Sequence, residues 1–258
     1  MAPPPRALIA LLALVATSPI AAADAEWTPI FDGKSLDGWT PKIAGLPPGE
    51  DPLNTFSVKD GAIVVSYANY DRWNDSFGHL FHRVGRSDFR IRLEYRFTGD
   101  QMDGGPEWAK ENSGLMLLCQ PPATMGRDQH FPASVELQFL GAGNSTGTTG
   151  GLCTPGTILK INGRAVSDHC IASSIPALPP GEWVKAEAEV RGGRLVKVWI
   201  NGRETLTGED VELDPEDADA RRLLESGENA GAMFSEGWIS LQSESHPCEF
   251  RRIEVQAL

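Results

Sequence analysis

The sequence predicts an all-β fold: a two-sheet antiparallel β-sandwich of jelly-roll type with at most one or two short helices. Three observations predict it. Apolar and polar residues alternate with period two along most of the chain. No strand–helix–strand rhythm is present. The 27 Gly and 19 Pro among 258 residues supply the turns that many short strands need. A formal net charge of −12 excludes a nucleic-acid binder, because phosphate recognition needs a basic face. With 41% hydrophobic and 22% charged residues, the chain is too apolar to stay disordered.

The elements follow in chain order. Residues 1–23 read as a signal peptide: Arg6 is the positive start, 7–16 (ALIALLALVA) the apolar run, and Ala21-Ala22-Ala23 the small residues of a cleavage site. The run is too short for a membrane anchor. The expected mature chain, 24–258, is one β domain of a periplasmic or secreted protein of undetermined oligomeric state. Strands are expected at 56–66, 88–98, 113–119, 134–140, 157–161, 184–191, 194–200, 237–242 and 249–256. In 88–98 (DFRIRLEYRFT), Phe89, Ile91, Leu93, Tyr95 and Phe97 alternate with Arg90, Arg92, Glu94 and Arg96, the signature of a half-buried strand. Gly192-Gly193 and Asn201-Gly202 are turns, and 215–226 is a short helix with Asp214 as its N-cap. Trp183 reads as core, whereas Trp73 and Trp108 lie in polar stretches where a ring can stack on a sugar.

Export gives the four cysteines a meaning, since an oxidising compartment favours disulfides. Cys153 and Cys170 flank a hairpin, 157–166 (TILKINGRAV), with Asn162-Gly163 at its turn, so bridging its ends is geometrically easy. Whether Cys119 and Cys248 pair stays open. No C-x-x-C spacing supports zinc. No P-loop, HExxH or GxSxG motif is present, which excludes P-loop, zincin and α/β-hydrolase chemistry.

Six separated stretches then resemble one family: 31–39 (FDGKSLDGW), 111–116 (ENSGLM), 134–138 (SVELQ), 181–183 (GEW), 199–202 (WING) and 237–258 (GWISLQSESHPCEFRRIEVQAL). In this order they resemble the 3-keto-disaccharide hydrolase-like family, over nearly all of 27–258. The insert carrying 152–157 and 168–170 resembles one subgroup, in support of the 153–170 bridge. Cys248 departs from the pattern, which has an aliphatic residue there. The resemblance implies a concanavalin-like or laminin-G-like sandwich acting on glycosides oxidised at C3. A ketone at C3 acidifies the C2 proton. A base forms the enolate, the C1 substituent leaves, and water can add back. Such a site needs a base near C2, an acid near the departing oxygen, and a cationic or hydrogen-bonding group at the ketone oxygen.

Glu136 and Gln138 alternate with Val135, Leu137 and Phe139, and Gln242, Glu244 and His246 continue the alternation of Ile239 and Leu241. The expected catalytic set is therefore Glu136, Glu244 and His246. Gln138, Gln242, Asn112, Glu111, Trp108 and Arg251 are the expected sugar-binding residues. For Glu111 and Asn112 the competing reading is the capping of a turn, and for Glu136 a merely solvated face. His130 and His169 have weaker claims to a catalytic role, and His79 and His82 read as structural or exposed. A divalent metal on Glu136, Glu244 and His246 is conceivable as a Lewis acid. Nothing in the spacing requires one, so no cofactor is assigned. The expected partner is a carbohydrate, with no nucleic acid and no membrane anchor. Two alternatives remain: a sandwich that binds a glycan without cleaving it, and an ordinary glycosidase with two carboxylates roughly 5 to 10 Å apart.

Overall fold

Two sheets face each other across one apolar layer in the computed structural model, which describes Met1 and residues 26–227 and 230–258. The expected signal peptide lies outside the described residues apart from Met1. The larger sheet runs in the spatial order Arg164–Ala165, Thr157–Ile161, Arg203–Leu213, Leu195–Ile200, Val184–Arg191, Asp88–Phe97, Cys248–Ala257, Ala62–Val65, Phe56–Lys59. Thr28–Pro29 joins it as a tenth strand alongside Cys248–Ala257. The smaller sheet has seven strands: Cys170–Ile171, Gly151–Cys153, Val135–Leu140, Asn112–Leu117, Trp238–Ser243, Gly78–Arg83, Trp39–Ile43. Among the described residues, neighbouring strands in both sheets run antiparallel, so the chain is the expected β-sandwich.

The alternation read from the sequence decides which side chains meet. Phe89, Ile91, Leu93, Tyr95 and Phe97 point inward and are at most 3% exposed. They meet Val135, Leu137 and Phe139 of the smaller sheet, which are fully buried. The rings of Tyr95 and Phe139 stack with centroids 3.9 Å apart and so join the two sheets. Each such side chain contributes about 1.5–3 kcal/mol by leaving water. On the opposite face of Asp88–Phe97, Arg90, Arg92 and Arg96 pair across strands with Glu187, Glu254 and Glu249. These pairs are partly exposed and contribute about 0–1 kcal/mol each.

Several expectations are corrected by the structure. Residues 56–66 form a tight hairpin rather than one strand, because Asp60 and Gly61 both take positive φ (51° and 78°), the backbone of a two-residue turn. The strands Gly78–Arg83 and Arg203–Leu213 were not foreseen. The helix begins later than expected, over Ala218–Ser226. Its N-cap is Asp217, not Asp214, and the Asp217 carboxylate accepts from the N–H groups of Asp219 and Ala220. A second helix spans Ala230–Ser235. Trp183 is not core: its ring lies on the outside of the larger sheet under the Arg96 and Arg251 guanidinium groups. Trp73 is 3% exposed and packs edge-on against Tyr67 and Phe77, so it offers no stacking surface. Cys153 and Cys170 form the expected disulfide. Cys119 and Cys248 remain free thiols in apolar clusters on opposite sides of the smaller sheet. No helix among the described residues is long and apolar enough to cross a membrane.

Candidate active site

The outward face of the smaller sheet carries the polar residues. Asn112–Leu117 pairs with Val135–Leu140 so that Gly114 lies opposite Gln138 and Met116 opposite Glu136. On the other side, Ser240 lies opposite Met116. Continuing that register places Gln242 beside Gly114, and Glu244 follows just beyond the strand end. Glu136, Gln138, Gly114 and Gln242 thus share one face. Gly114 is the residue that lets them crowd: a Cβ there would sit 2.4 Å from Glu136 Oε1, so the Glu136 side chain lies across it.

At the end of Trp238–Ser243 the backbone is forced into an unusual state. Ser245 has φ of 75°, which a residue with a side chain rarely adopts. It is held from three directions. Its N–H donates to the Tyr67 hydroxyl (2.9 Å), its Oγ accepts from Gln101 Nε2 (2.9 Å), and its carbonyl accepts from Met102 N–H (2.8 Å). Strain that is over-determined in this way is typical of functional sites. Here it ends the alternation between Glu244 and His246 and sends the two side chains to different surroundings.

Glu136 and Glu244 meet in a cavity of about 270 Å³ lined by Trp108, Asn112, Phe131, Gln138, Pro155, His169 and the Cys153–Cys170 bridge. This lies at the low end of small-molecule pockets, which run from about 300 to 1,000 Å³. The two carboxyl groups are 6% and 2% exposed, and each has one oxygen without a hydrogen-bond partner. Asn112 Oδ1 and both amide atoms of Gln242 are also buried and unpartnered. Buried polar groups are nearly always satisfied, so such a concentration marks a surface made for a ligand. Burial pushes the Glu136 carboxyl up to about 8. Burial, and then the charge of Glu136, raises Glu244 well above the carboxylate range. Two adjacent carboxyls in this setting cannot both ionise near neutrality, so the pair holds at least one proton.

The remaining expected site residues are distributed as follows. His246 does not line the cavity. It is 3% exposed against the edge of Phe97 (5.6 Å), with neither ring nitrogen partnered. Burial lowers its pKa despite the opposing pull of Glu111 and Asp100. Glu111 is turned away: its carboxylate accepts from Gly143 N–H (2.7 Å) and is enclosed by Gly141 and Gly143, the turn-holding role. Arg251 is corrected outright. It lies in the larger sheet, donating to Glu94 (2.7 Å) over the Trp183 ring (3.9 Å). Trp108 is 51% exposed, stacks on Phe77 and lines the cavity. Phe131 and Pro155 were missed, since nothing in their local sequence separates them from ordinary loop residues. His169 carried a signal, its place beside a disulfide cysteine. His79 is not exposed but fully buried, and burial pushes its imidazole down to about 3. Among the described residues no group of three or more His, Cys, Asp or Glu is placed to share one metal ion.

Two crystal structures from Parabacteroides distasonis ATCC 8503, both bearing the name "putative glycosyl hydrolase", share this fold. One is 20% identical, with 90% of this chain and 94% of that chain covered at a TM-score of 0.51. The other is 16% identical, with 90% and 100% covered at a TM-score of 0.52. No curated protein matches the sequence. The model of one family, described as the 3-keto-alpha-glucoside-1,2-lyase-like domain, matches residues 26–256, and the chain belongs to that family.

Proposed function

We propose that this protein is an exported enzyme that cleaves glycosides carrying a ketone at C3, by removing the C2 proton and releasing the C1 substituent. The observation that carries this reading is the buried pair Glu136 and Glu244, each with an unpartnered oxygen in one small cavity. Family membership and the polar face of Gln138, Asn112 and Gln242 support it.

The reaction divides the pair. Glu136, whose carboxyl loses its proton at about 8, takes the C2 proton as its carboxylate. Glu244, held neutral by burial and by the charge of Glu136, donates a hydrogen bond to the C3 oxygen as it becomes an enolate. Adjacent carboxyls pushed apart in acidity are how one site supplies a base and an acid at the same pH. Electrons then flow from the enolate to form the C1–C2 double bond, and the C1–O bond breaks. Addition of water across that double bond, hydroxyl to C1 and proton to C2, turns the elimination into a net hydrolysis.

The test uses residues 24–258 with two matched glucosides, one native and one oxidised at C3, each with the same chromogenic leaving group. Release from the 3-keto compound alone is the expected result. Release from the native glucoside at a similar rate would instead assign ordinary glycosidase chemistry, and release from neither would leave a glycan-binding sandwich. Running the same reactions with chelator present and with added divalent cations reads out any metal requirement. Product analysis in H₂¹⁸O and D₂O separates elimination, which leaves an unsaturated ketone, from hydrolysis, which places ¹⁸O on C1.

A further inference from the structure

Three groups are needed for the proposed reaction, and the floor of the cavity supplies two. The third must protonate the departing oxygen, because an alkoxide of a sugar alcohol is a poor leaving group. A second, more open cavity of about 420 Å³ adjoins the first, lined by Asp128, Gln129, His130, Asp214, Asp217 and Asp219. The two cavities share only three residues, Phe131, Pro155 and His169. A bond joining a ring in the small cavity to a group in the larger one would lie beside these three. Of them only His169 carries a transferable proton.

We propose that His169 is the proton donor to the leaving oxygen and that the larger cavity receives the leaving group. The proposal rests on the reading of the small cavity given above. His169 is anchored although its ring is exposed. Its carbonyl accepts from Thr154 N–H (2.9 Å) and Thr154 Oγ1 (3.3 Å), and the next residue, Cys170, is bonded to Cys153. Cys153 in turn lies directly opposite Glu136 in strand register, so the disulfide fixes His169 relative to the base. The polar walls of the larger cavity can accept hydrogen bonds from hydroxyl groups. The Asp217 carboxylate is occupied as a helix cap, Asp214 accepts from Glu216 N–H (2.9 Å) and Asp219 pairs with Arg222 (2.7 Å), whereas Asp128 and His130 are exposed. In the step itself, the C1–O electron pair goes to the departing oxygen, which takes the imidazolium proton. The neutral imidazole then takes a proton from the water that adds to C1, restoring the starting state.

The test compares His169→Gln with the native chain on two 3-keto-glucosides. One releases 4-nitrophenolate, which needs no acid to depart, and the other releases glucose. The expected result is a loss in kcat/KM that is about 100-fold or more greater for the glucose-releasing substrate, within the range of about 10²–10⁴ for general acid catalysis. His169→Ala is expected to regain at least tenfold on that substrate when imidazole is added to the buffer. Equal losses on both substrates, or no loss on either, overturn the assignment while leaving the proposed reaction standing. If the native chain releases nothing from either 3-keto compound, the underlying reading fails instead, and the His169 variants then show no difference.

Discussion

Replacing Glu136 by Gln should abolish turnover and at the same time stabilise the protein at neutral and alkaline pH. The native carboxyl is buried, with its ionisation moved from an ordinary 4.5 to about 8. Between those values the folded chain keeps a proton that the unfolded chain has lost. Stability therefore falls as pH rises from 4.5 to 8, by about 1.4 kcal/mol per pH unit, and levels off above 8. Over the 3.5 units the upper limit is roughly 5 kcal/mol, and water entering the cavity reduces it by solvating the carboxylate. Glutamine is nearly the same size and never ionises, so Glu136→Gln removes this loss. Denaturant unfolding of both proteins, with the disulfide intact, should give nearly equal stabilities at pH 4.5. The difference in favour of the variant should open toward pH 8. Relief from the Glu136 charge should also lower the Glu244 ionisation in the variant, measurable by carboxyl ¹³C chemical shifts. Parallel stability curves over the whole range would refute the claim that this carboxyl is held protonated by burial.

Three further outcomes follow from other contacts. Gly114→Ala places a Cβ 2.4 Å from Glu136 Oε1 and forces that side chain to move, so kcat should fall about 100-fold, with a smaller effect on the unfolding midpoint. His79, buried with Nε2 at 3.1 Å from the His130 carbonyl, has its ionisation lowered to about 3. Below pH 6.5 the unfolded chain binds a proton that the folded chain refuses, so stability falls as pH drops. His79→Gln should flatten that decline by about 3 kcal/mol between pH 7 and 4 in urea titrations. Removing the disulfide with Cys153→Ser and Cys170→Ser frees a loop of 17-residue separation, and chain entropy predicts a loss of about 3 kcal/mol by the same measurement.

The period-two pattern was sufficient for the sandwich because burial in a sheet depends on which face a residue takes, and that face is set by parity alone. Asp88–Phe97 and Val135–Leu140 were legible for this reason, and so was the placement of Glu136 and Gln138 on one common face. The disulfide was legible because Cys153 and Cys170 close a hairpin whose turn, Asn162-Gly163, is written in two adjacent residues. Partners distant in sequence were not legible. Arg251 differs in no local respect from a ligand-reaching arginine, yet the order of strands in the larger sheet delivers it to Glu94 and Trp183. His246 continues the alternation of Gln242 and Glu244 on paper, but the positive φ of Ser245 turns it toward Phe97. That φ is imposed by Tyr67, Gln101 and Met102, which come from two other loops.

Residue type and spacing alone were enough for the class of fold, for which side chains of a strand share a face, and for the bridging cysteines. Those are consequences of residue type and spacing along a few neighbouring positions. It took the tertiary structure to show that Glu136 and Glu244 share one buried cavity, that Phe131, Pro155 and His169 form its rim, and that Glu111, Arg251 and His246 lie away from it. Acidity and access depend on how much protein surrounds a group and which charges lie beside it, and strand order and loop packing set both.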